Sequence, residues 1–147
     1  MPSFRGAYDS IPVDDKGRII LPRKIRGALP QEASDNCVLV AWLENCLAVF
    51  DTHTWNELTS KIQSGASISD ANTRNLIRFL HSNSDDVKID NQGRISINKN
   101  LLAFAGITDR AKVIGAGDHA EIWCPERYEQ YMAGVDVAKV AELTDLF

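Results

Sequence analysis

Residues 11–22 read IPVDDKGRIILP, and residues 87–98 read VKIDNQGRISIN. Both stretches place Asp-x-x-Gly-Arg between short apolar runs, and an offset of 76 residues superposes them. Asp at the first position and Gly at the fourth favour a type I turn, because the carboxylate accepts backbone N–H bonds and glycine tolerates the closing conformation. A repeat of this kind predicts two copies of one structural unit.

Apolar residues alternate on both sides of each turn, as Ile19 and Leu21 do after the first one. Period-two alternation beside a turn predicts a β-hairpin with one buried face. Arg18 then points to the opposite, polar face of the first hairpin, and Arg94 does the same in the second. Two interpretations of these arginines stay open: a surface ion pair with the turn aspartate, or presentation to a partner by a rigid hairpin.

The similarity continues after the hairpins and divides the chain into four parts. Each copy goes on with a short helix, two strands and a helix that opens on an aromatic residue, and Thr54 with Glu57 predicts a capping box at the first such opening. The tail pattern predicts an amphipathic helix, for which core packing or a frayed end is favoured over a subunit contact. The predicted boundaries are repeat 1 at 7–53, a helical connector at 54–83, repeat 2 at 84–127 and a C-terminal helical tail at 128–147.

Charge is unevenly distributed along the chain. The formal net charge is −4 at pH 7, yet residues 1–30 hold six basic and three acidic residues. The local potential matters more than the total when a partner contacts one face, although most charge clusters are only solvated surface. The cluster alone is therefore weak evidence for a nucleic-acid partner.

Motifs for catalysis and metal binding are weak or missing in the sequence. Cys37, Cys46 and Cys124 form no CxxC pair, so we interpret them as reduced core thiols, with a zinc site as the less favoured alternative. Residues 115–120 (GAGDHA) lack the third glycine of a dinucleotide fingerprint and predict a hairpin loop. We expect no enzyme, cofactor or metal.

Targeting signals are also missing from the sequence. The apolar runs are too short to span a bilayer, and the N-terminal residues lack the apolar stretch of a secretory signal. We expect a cytoplasmic protein without a membrane partner.

Five segments together resemble the MraZ family of bacterial transcriptional regulators, which are built from two AbrB-like (SpoVT-AbrB) repeats. The segments are FRGAY, DDKGRIILPRKIR, CLAVFDTHTWNEL, DNQGRISI and VIGAGDHAEIWCPERYEQY, and they run from about Phe4 to Tyr131. The resemblance implies an α+β, mainly β fold: two tandem swapped-hairpin repeats in a pseudo-two-fold, double-psi-type β-barrel with peripheral helices. It also implies ring-like homo-oligomers that bind double-stranded DNA at short repeated promoter sites of a division and cell-wall gene cluster, on the nucleoid.

Carried over residue by residue, the resemblance assigns the DNA-contacting arginines to Arg18 and Arg94. The turn residues that would hold them are Asp14, Gly17, Asp90 and Gly93. The neighbouring basic residues that would contact phosphates are Lys16, Arg23, Lys24 and Arg26. Because PRKIR in the first copy becomes NKNLL in the second, we expect the first copy to supply most phosphate contacts. The alternative function is a non-catalytic oligomeric scaffold that does not read DNA.

Overall fold

The structure is a computed structural model that describes residues 3–30, 36–65 and 69–145. Its strands are β1 (Ala7–Pro12), β2 (Arg18–Ile20), β3 (Asn36–Ala41), β4 (Leu47–Phe50), β5 (Ser84–Lys88), β6 (Arg94–Ser96), β7 (Arg110–Gly115) and β8 (Ala120–Trp123). Its helices are α1 (Arg23–Ala28), α2 (Thr52–Gly65), α3 (Ala71–Ser82), α4 (Lys99–Ala105), α5 (Pro125–Ala133) and α6 (Val137–Leu143). The α+β class is confirmed. Residues 146–147 of the predicted tail lie outside the described residues.

The strand order is symmetric with respect to the two repeats. Six strands form one antiparallel sheet in the order β1-β7-β8-β4-β3-β5, and β2 pairs with β6 in a separate two-stranded sheet. At the centre of the large sheet Ala48 pairs with Glu121, and in the small sheet Ile19 pairs with Ile95. Each pair joins equivalent positions of the two repeats, so a pseudo-two-fold axis relates them.

The prediction that the strands beside each turn pair with each other is wrong. β1 pairs with β7 and β5 with β3, whereas β2 and β6 pair with one another. The turns themselves form, since the N–H of Asp14 donates to the Arg18 carbonyl and that of Asp90 to the Arg94 carbonyl, each at 3.0 Å. Period-two alternation determines which face a strand buries, but it leaves the partner strand unspecified.

The large sheet separates two apolar layers. On one side Val49 and Ile122 are fully buried together with Ile19 and Ile95 of the small sheet, so residues of both repeats form one core. On the other side α2 and α3 pack on the first repeat, where Phe50 belongs to a smaller buried cluster. The two repeats therefore fold around a shared core instead of as separate domains.

Helix α2 begins before the predicted capping box. The carboxylate of Asp51 accepts a hydrogen bond from the N–H of Thr54 at 3.1 Å, and the helix starts at Thr52. Thr54 is buried within the first turn, while Glu57 pairs with His53 at 2.8 Å. The capping-box prediction is wrong because Asp51 supplies the acceptor three residues earlier.

The predicted tail helix forms as α6, but its apolar side is not packed in the core. Val137, Val140 and Leu143 are 67%, 48% and 78% exposed, so the core-packing interpretation of the tail is wrong. Among the helices of the described ranges, none is long and apolar enough to cross a membrane.

Candidate nucleic-acid interface

Strands β2 and β6 together form what we call the ribbon. Arg18 lies opposite Ser96, and Ile20 lies opposite Arg94. Directly opposite residues share a face, so Ile19 and Ile95 occupy the buried face. The exposed face of the ribbon consists of Arg18, Ile20, Arg94 and Ser96. The predicted outward direction of both arginines is confirmed.

The structure brings the two predicted arginines together, although 76 residues separate them in the chain. Arg94 lies two positions along β6 from Ser96, the residue opposite Arg18, which makes the two arginines diagonal neighbours. Diagonal neighbours across an antiparallel pair are about 7–8 Å apart. One short ribbon therefore presents both guanidinium groups to the same side.

Each arginine is anchored by the aspartate of its own turn. Arg18 Nε donates to Asp14 Oδ2 at 2.7 Å, and Arg94 Nε donates to Asp90 Oδ2 at 2.7 Å. The predicted ion pairs are thus present, but they use only Nε. In the part of the chain that the structure describes, the Nη atoms of both arginines have no hydrogen-bond acceptor. The outer edge of each guanidinium therefore still has its donors available to a ligand.

The same contacts hold the turn aspartates in the ionised state. Asp14 Oδ1 also accepts the backbone N–H of Arg18 at 2.8 Å and that of Lys16 at 3.0 Å. The hydrogen bond from the arginine backbone is the largest cause of a lowered pKa at both Asp14 and Asp90, and it outweighs partial desolvation. Each arginine therefore keeps a charged partner at neutral pH.

The two turns pack against opposite repeats. Gly17 and Gly93 have φ of +76° and +79°, in the left-handed region that glycine tolerates best. The N–H of Ile97 donates to the Gly17 carbonyl, and the N–H of Leu21 donates to the Gly93 carbonyl, both at 2.9 Å. A Cβ on Gly17 would lie 2.7 Å from the Ile97 carbonyl oxygen. The turn in each repeat is thus held by the strand end of the other.

The pairing of β2 with β6 places basic residues of the first repeat at the end of the ribbon that carries the arginine of the second. Helix α1 follows β2, so it starts at the end of the ribbon where Ile20 lies opposite Arg94. Its exposed residues Arg23 and Lys24 therefore lie just beyond the Arg94 end of the ribbon, while Lys16 lies in the turn that leads to Arg18. Basic residues therefore lie at both ends of the ribbon, with more of them at the Arg94 end.

One family model matches almost the whole chain. It is described as "MraZ protein, putative antitoxin-like" and matches residues 3–79 and 80–145, one match for each repeat. The chain belongs to the MraZ family. The resemblance identified from the sequence motifs is thereby confirmed.

Curated MraZ relatives align with this chain over most of their length. A protein from Roseiflexus castenholzii is 36% identical over 146 residues, covering 95% of this chain and 98% of that protein. A protein from Deinococcus radiodurans is 34% identical over 123 residues, covering 84% and 83%. A protein from Clostridium tetani is 34% identical over 140 residues, covering 95% and 94%. All three are named transcriptional regulator MraZ, which supports a regulator of transcription and agrees with the expectation that the chain is not an enzyme.

Among the predicted phosphate contacts of this MraZ chain, Arg26 has a second role. Its Nε donates to the Leu21 carbonyl at 3.0 Å. A Cβ added to Gly93 would lie 2.5 Å from the Arg26 guanidinium, so this group packs directly on the glycine. Leu102, the equivalent residue of the second repeat, packs in the same way beside Gly17. Arg26 is therefore half-buried and braces the second turn, unlike the exposed Arg23 and Lys24.

A second polar cluster of the MraZ chain lies outside the ribbon, and no motif in the sequence predicts it. His119 Nδ1 lies 2.8 Å from Asp118 and its Nε2 lies 3.0 Å from Glu121, whose other oxygen accepts from Trp123 Nε1 at 2.9 Å. The imidazole stacks on Phe50 with ring centroids 5.1 Å apart. The loop predicted at 115–120 is confirmed, since it joins the paired strands β7 and β8. The alternation of His119, just before β8, with Glu121 and Trp123 in β8 would have predicted that these side chains share one face.

Two opposing effects determine the pKa values in this cluster. Burial alone lowers the pKa of His119, but hydrogen bonds and charge attraction from Glu121 and Asp118 outweigh it, so the pKa is raised above 6.5. Burial alone raises the pKa of Glu121, but its bonds to His119 and Trp123 outweigh that effect and the pKa is lowered below 4.5. The two groups therefore coexist as an ion pair near pH 6.

The cysteines are free in the structure. Cys37 and Cys46 are buried, and Cys124 is half-buried. Burial raises the pKa of Cys37 to about 12, and burial with nearby carboxylates also raises the pKa of Cys46. These two thiols therefore stay protonated and unreactive. Across the described ranges no group of three His, Cys, Asp or Glu side chains is arranged to hold a metal ion.

Proposed function

We propose that this chain is a sequence-specific DNA-binding transcriptional regulator that reads DNA with the exposed face of its ribbon. The observation that carries the proposal is the position of Arg18 and Arg94 on that one face, each anchored through Nε alone. A two-stranded ribbon fits the major groove, and the arginine fork can donate to both O6 and N7 of guanine. Each such pair discriminates against other bases by ~1–3 kcal/mol.

The hydrogen bonds to the turn aspartates favour base recognition by the two arginines because they restrict the side chains in advance. An unrestrained arginine side chain carries about 2 kcal/mol of rotamer entropy, part of which is lost on binding. The 2.7 Å bonds to Asp14 and Asp90 restrict the two side chains before DNA arrives. A diagonal separation of about 7–8 Å corresponds to roughly two base-pair steps of about 3.4 Å. We therefore expect two guanines about two steps apart within each site.

Basic residues around the ribbon contact the DNA backbone in this proposal. Lys16 flanks Arg18, and Arg23 with Lys24 flanks Arg94, so phosphates on both sides of the groove meet a cation. These contacts fix the register of the protein on the duplex without reading sequence. Arg26 adds positive charge while it braces the turn that carries Arg94.

Assembly and location complete the proposal. The chain forms a ring-like homo-oligomer in the cytoplasm, on the nucleoid, and binds short repeated sites in the promoter of a division and cell-wall gene cluster. Several weak contacts to spaced sites gain by effective concentration, provided that the spacing matches. The net charge of −4 keeps binding to random DNA weak.

We also propose the finer architecture that the family resemblance implies. The exchange of β2 and β6 between repeats and the symmetric strand order support an AbrB-type swapped-hairpin, double-psi-type barrel. In this proposal the two AbrB-like repeats span 7–53 and 84–127, with the helical connector at 54–83 between them.

Footprinting on the region upstream of the protein's own gene tests the function. Wild type is expected to protect several short repeated sites, and Arg18→Ala and Arg94→Ala are expected to lose that protection while keeping the oligomer. Protection that survives Arg18→Ala unchanged would refute the arginine assignment. An oligomer that protects no DNA at all would favour the scaffold function, for which the exposed apolar side of α6 is the structural support.

A further inference from the structure

The exposed face of the ribbon is less symmetric than the fold beneath it. The pseudo-two-fold axis relates Arg18 to Arg94 and Ile20 to Ser96. Ile20 lies opposite Arg94, whereas Ser96 lies opposite Arg18. Side chains in such positions have Cβ atoms about 4.5–5.5 Å apart. One arginine therefore has an aliphatic neighbour, and the other has a hydroxyl neighbour.

Ile20 is an aliphatic side chain on an otherwise polar face. It is 53% exposed, while the flanking Ile19 and Leu21 are 1% and 0% exposed. Among the described residues it belongs to neither of the two buried apolar clusters. Core packing therefore does not account for its apolar character.

The chemistry of the major groove gives the two neighbours different partners. The 5-methyl group of thymine is the apolar feature of that groove, and aliphatic side chains contact it. The hydroxyl of Ser96 both donates and accepts, so it complements the polar base edges and gains nothing from a methyl group. Each arginine would thus read its guanine next to a different kind of base.

We propose that Ile20 and Ser96 give the ribbon a direction on DNA. The Arg94–Ile20 end reads a guanine with an adjacent thymine through the thymine methyl group, and the Arg18–Ser96 end reads a guanine beside a base with a polar edge. Each chain then recognises a non-palindromic sequence in one orientation. This inference rests on the proposed function, and it adds Ile20 and Ser96 as specificity-determining residues.

Removing a single methyl group from the DNA tests the inference without changing the protein. A preferred site is first selected with wild type from a random double-stranded library, and each thymine in it is then replaced singly by deoxyuridine. Wild type is expected to lose about fourfold in affinity at one thymine beside a contacted guanine, which is the value of one buried methyl-sized group. Equal affinity for every uracil-substituted site would overturn the inference.

Matched variants assign the methyl contact to its residue. Ile20→Ser is expected to bind the thymine and uracil forms of the site equally, whereas Ser96→Ala is expected to keep the fourfold difference. Ile20→Ser also makes both arginines neighbour a serine, so a fresh library selection with it should return a more palindromic site. A uracil penalty that persists in Ile20→Ser would remove Ile20 from the interface.

The Arg18→Ala variant separates failure of this inference from failure of the proposed function. If Arg18→Ala binds the selected site as wild type does, the ribbon does not read DNA and both proposals fail. If Arg18→Ala loses binding and uracil has no effect, the ribbon reads DNA and only the role of Ile20 is wrong.

Discussion

Alanine at the two turn glycines is predicted to have unequal effects, although both glycines occupy the same position in their repeats. A left-handed conformation costs a non-glycine residue roughly 1–2 kcal/mol, and this cost applies to both, with φ of +76° at Gly17 and +79° at Gly93. In Gly17→Ala the new Cβ also lies 2.7 Å from the backbone oxygen of Ile97. That oxygen sits at the strand end whose N–H bonds back to Gly17 at 2.9 Å, so relief requires a backbone shift that adds about 1–3 kcal/mol.

In Gly93→Ala the three atoms nearest to the new Cβ all belong to the guanidinium end of the Arg26 side chain. That side chain can rotate away, at the cost of one hydrogen bond worth about 0.5–1.5 kcal/mol. We therefore expect a loss of about 1.5–3.5 kcal/mol for Gly93→Ala and about 2–5 kcal/mol for Gly17→Ala.

Urea and thermal unfolding at one fixed protomer concentration measure the difference. At roughly 2–4 °C per kcal/mol for a chain of this size, Gly17→Ala should melt several degrees below Gly93→Ala. Gly27→Ala is the matched control, because that glycine lies in α1 with no atom within 4 Å of an added Cβ. It should leave stability unchanged or raise it by up to ~1 kcal/mol. Equal losses for Gly17→Ala and Gly93→Ala would refute the described packing of the turns.

Two further predictions concern the polar cluster and the basic helix. The raised pKa of His119 stabilises the fold fully below pH 6.5, and this contribution is lost as the pH rises through the folded pKa. The lowered pKa of Glu121 stabilises the fold above pH 4.5, and this contribution is lost on acidification. His119→Gln should therefore lower the free energy of unfolding in urea more at pH 6 than at pH 8.5, and a loss independent of pH would contradict the ion pair. Lys24→Ala should weaken binding to specific and random DNA alike and reduce the slope of log Kd against log salt by about 1. An effect confined to the specific site would indicate that Lys24 contacts a base instead of a phosphate.

The sequence alone was sufficient for the turns and for the direction of the arginines. Asp14 and Gly17 are turn residues by their own chemistry, and period two places Arg18 and Ile19 on opposite faces wherever the strand goes. The structure confirms both features, and their counterparts at Asp90 and Arg94 have the same geometry. Features that depend only on neighbouring residues can therefore be predicted from a single sequence.

Strand partnership was not readable from the same pattern. Any partner strand in the right register can cover the buried face of a strand. β2 has only three residues, which are too few to select one partner strand. The pairing of β2 with β6 depends on long-range contacts, in which Leu21 and Ile97 bond to the turns of the opposite repeat. Two consequences therefore emerged only from the structure: both arginines share one face, and Arg26 braces the turn of the other repeat.

The most direct test of joint DNA reading by the two arginines is an equilibrium titration monitored by fluorescence anisotropy. One labelled cognate site is titrated with wild type, with Arg18→Ala and with Arg94→Ala. Since each bidentate pair is worth ~1–3 kcal/mol, each variant should raise Kd about 5- to 150-fold. The two losses should be similar, because both side chains have the same anchor at 2.7 Å. A surface ion pair is worth only ~0–1 kcal/mol, so melting temperature and oligomeric state should stay close to wild type. Wild-type affinity in Arg94→Ala would show that the second repeat only completes the fold and would contradict a ribbon that reads DNA with both arginines.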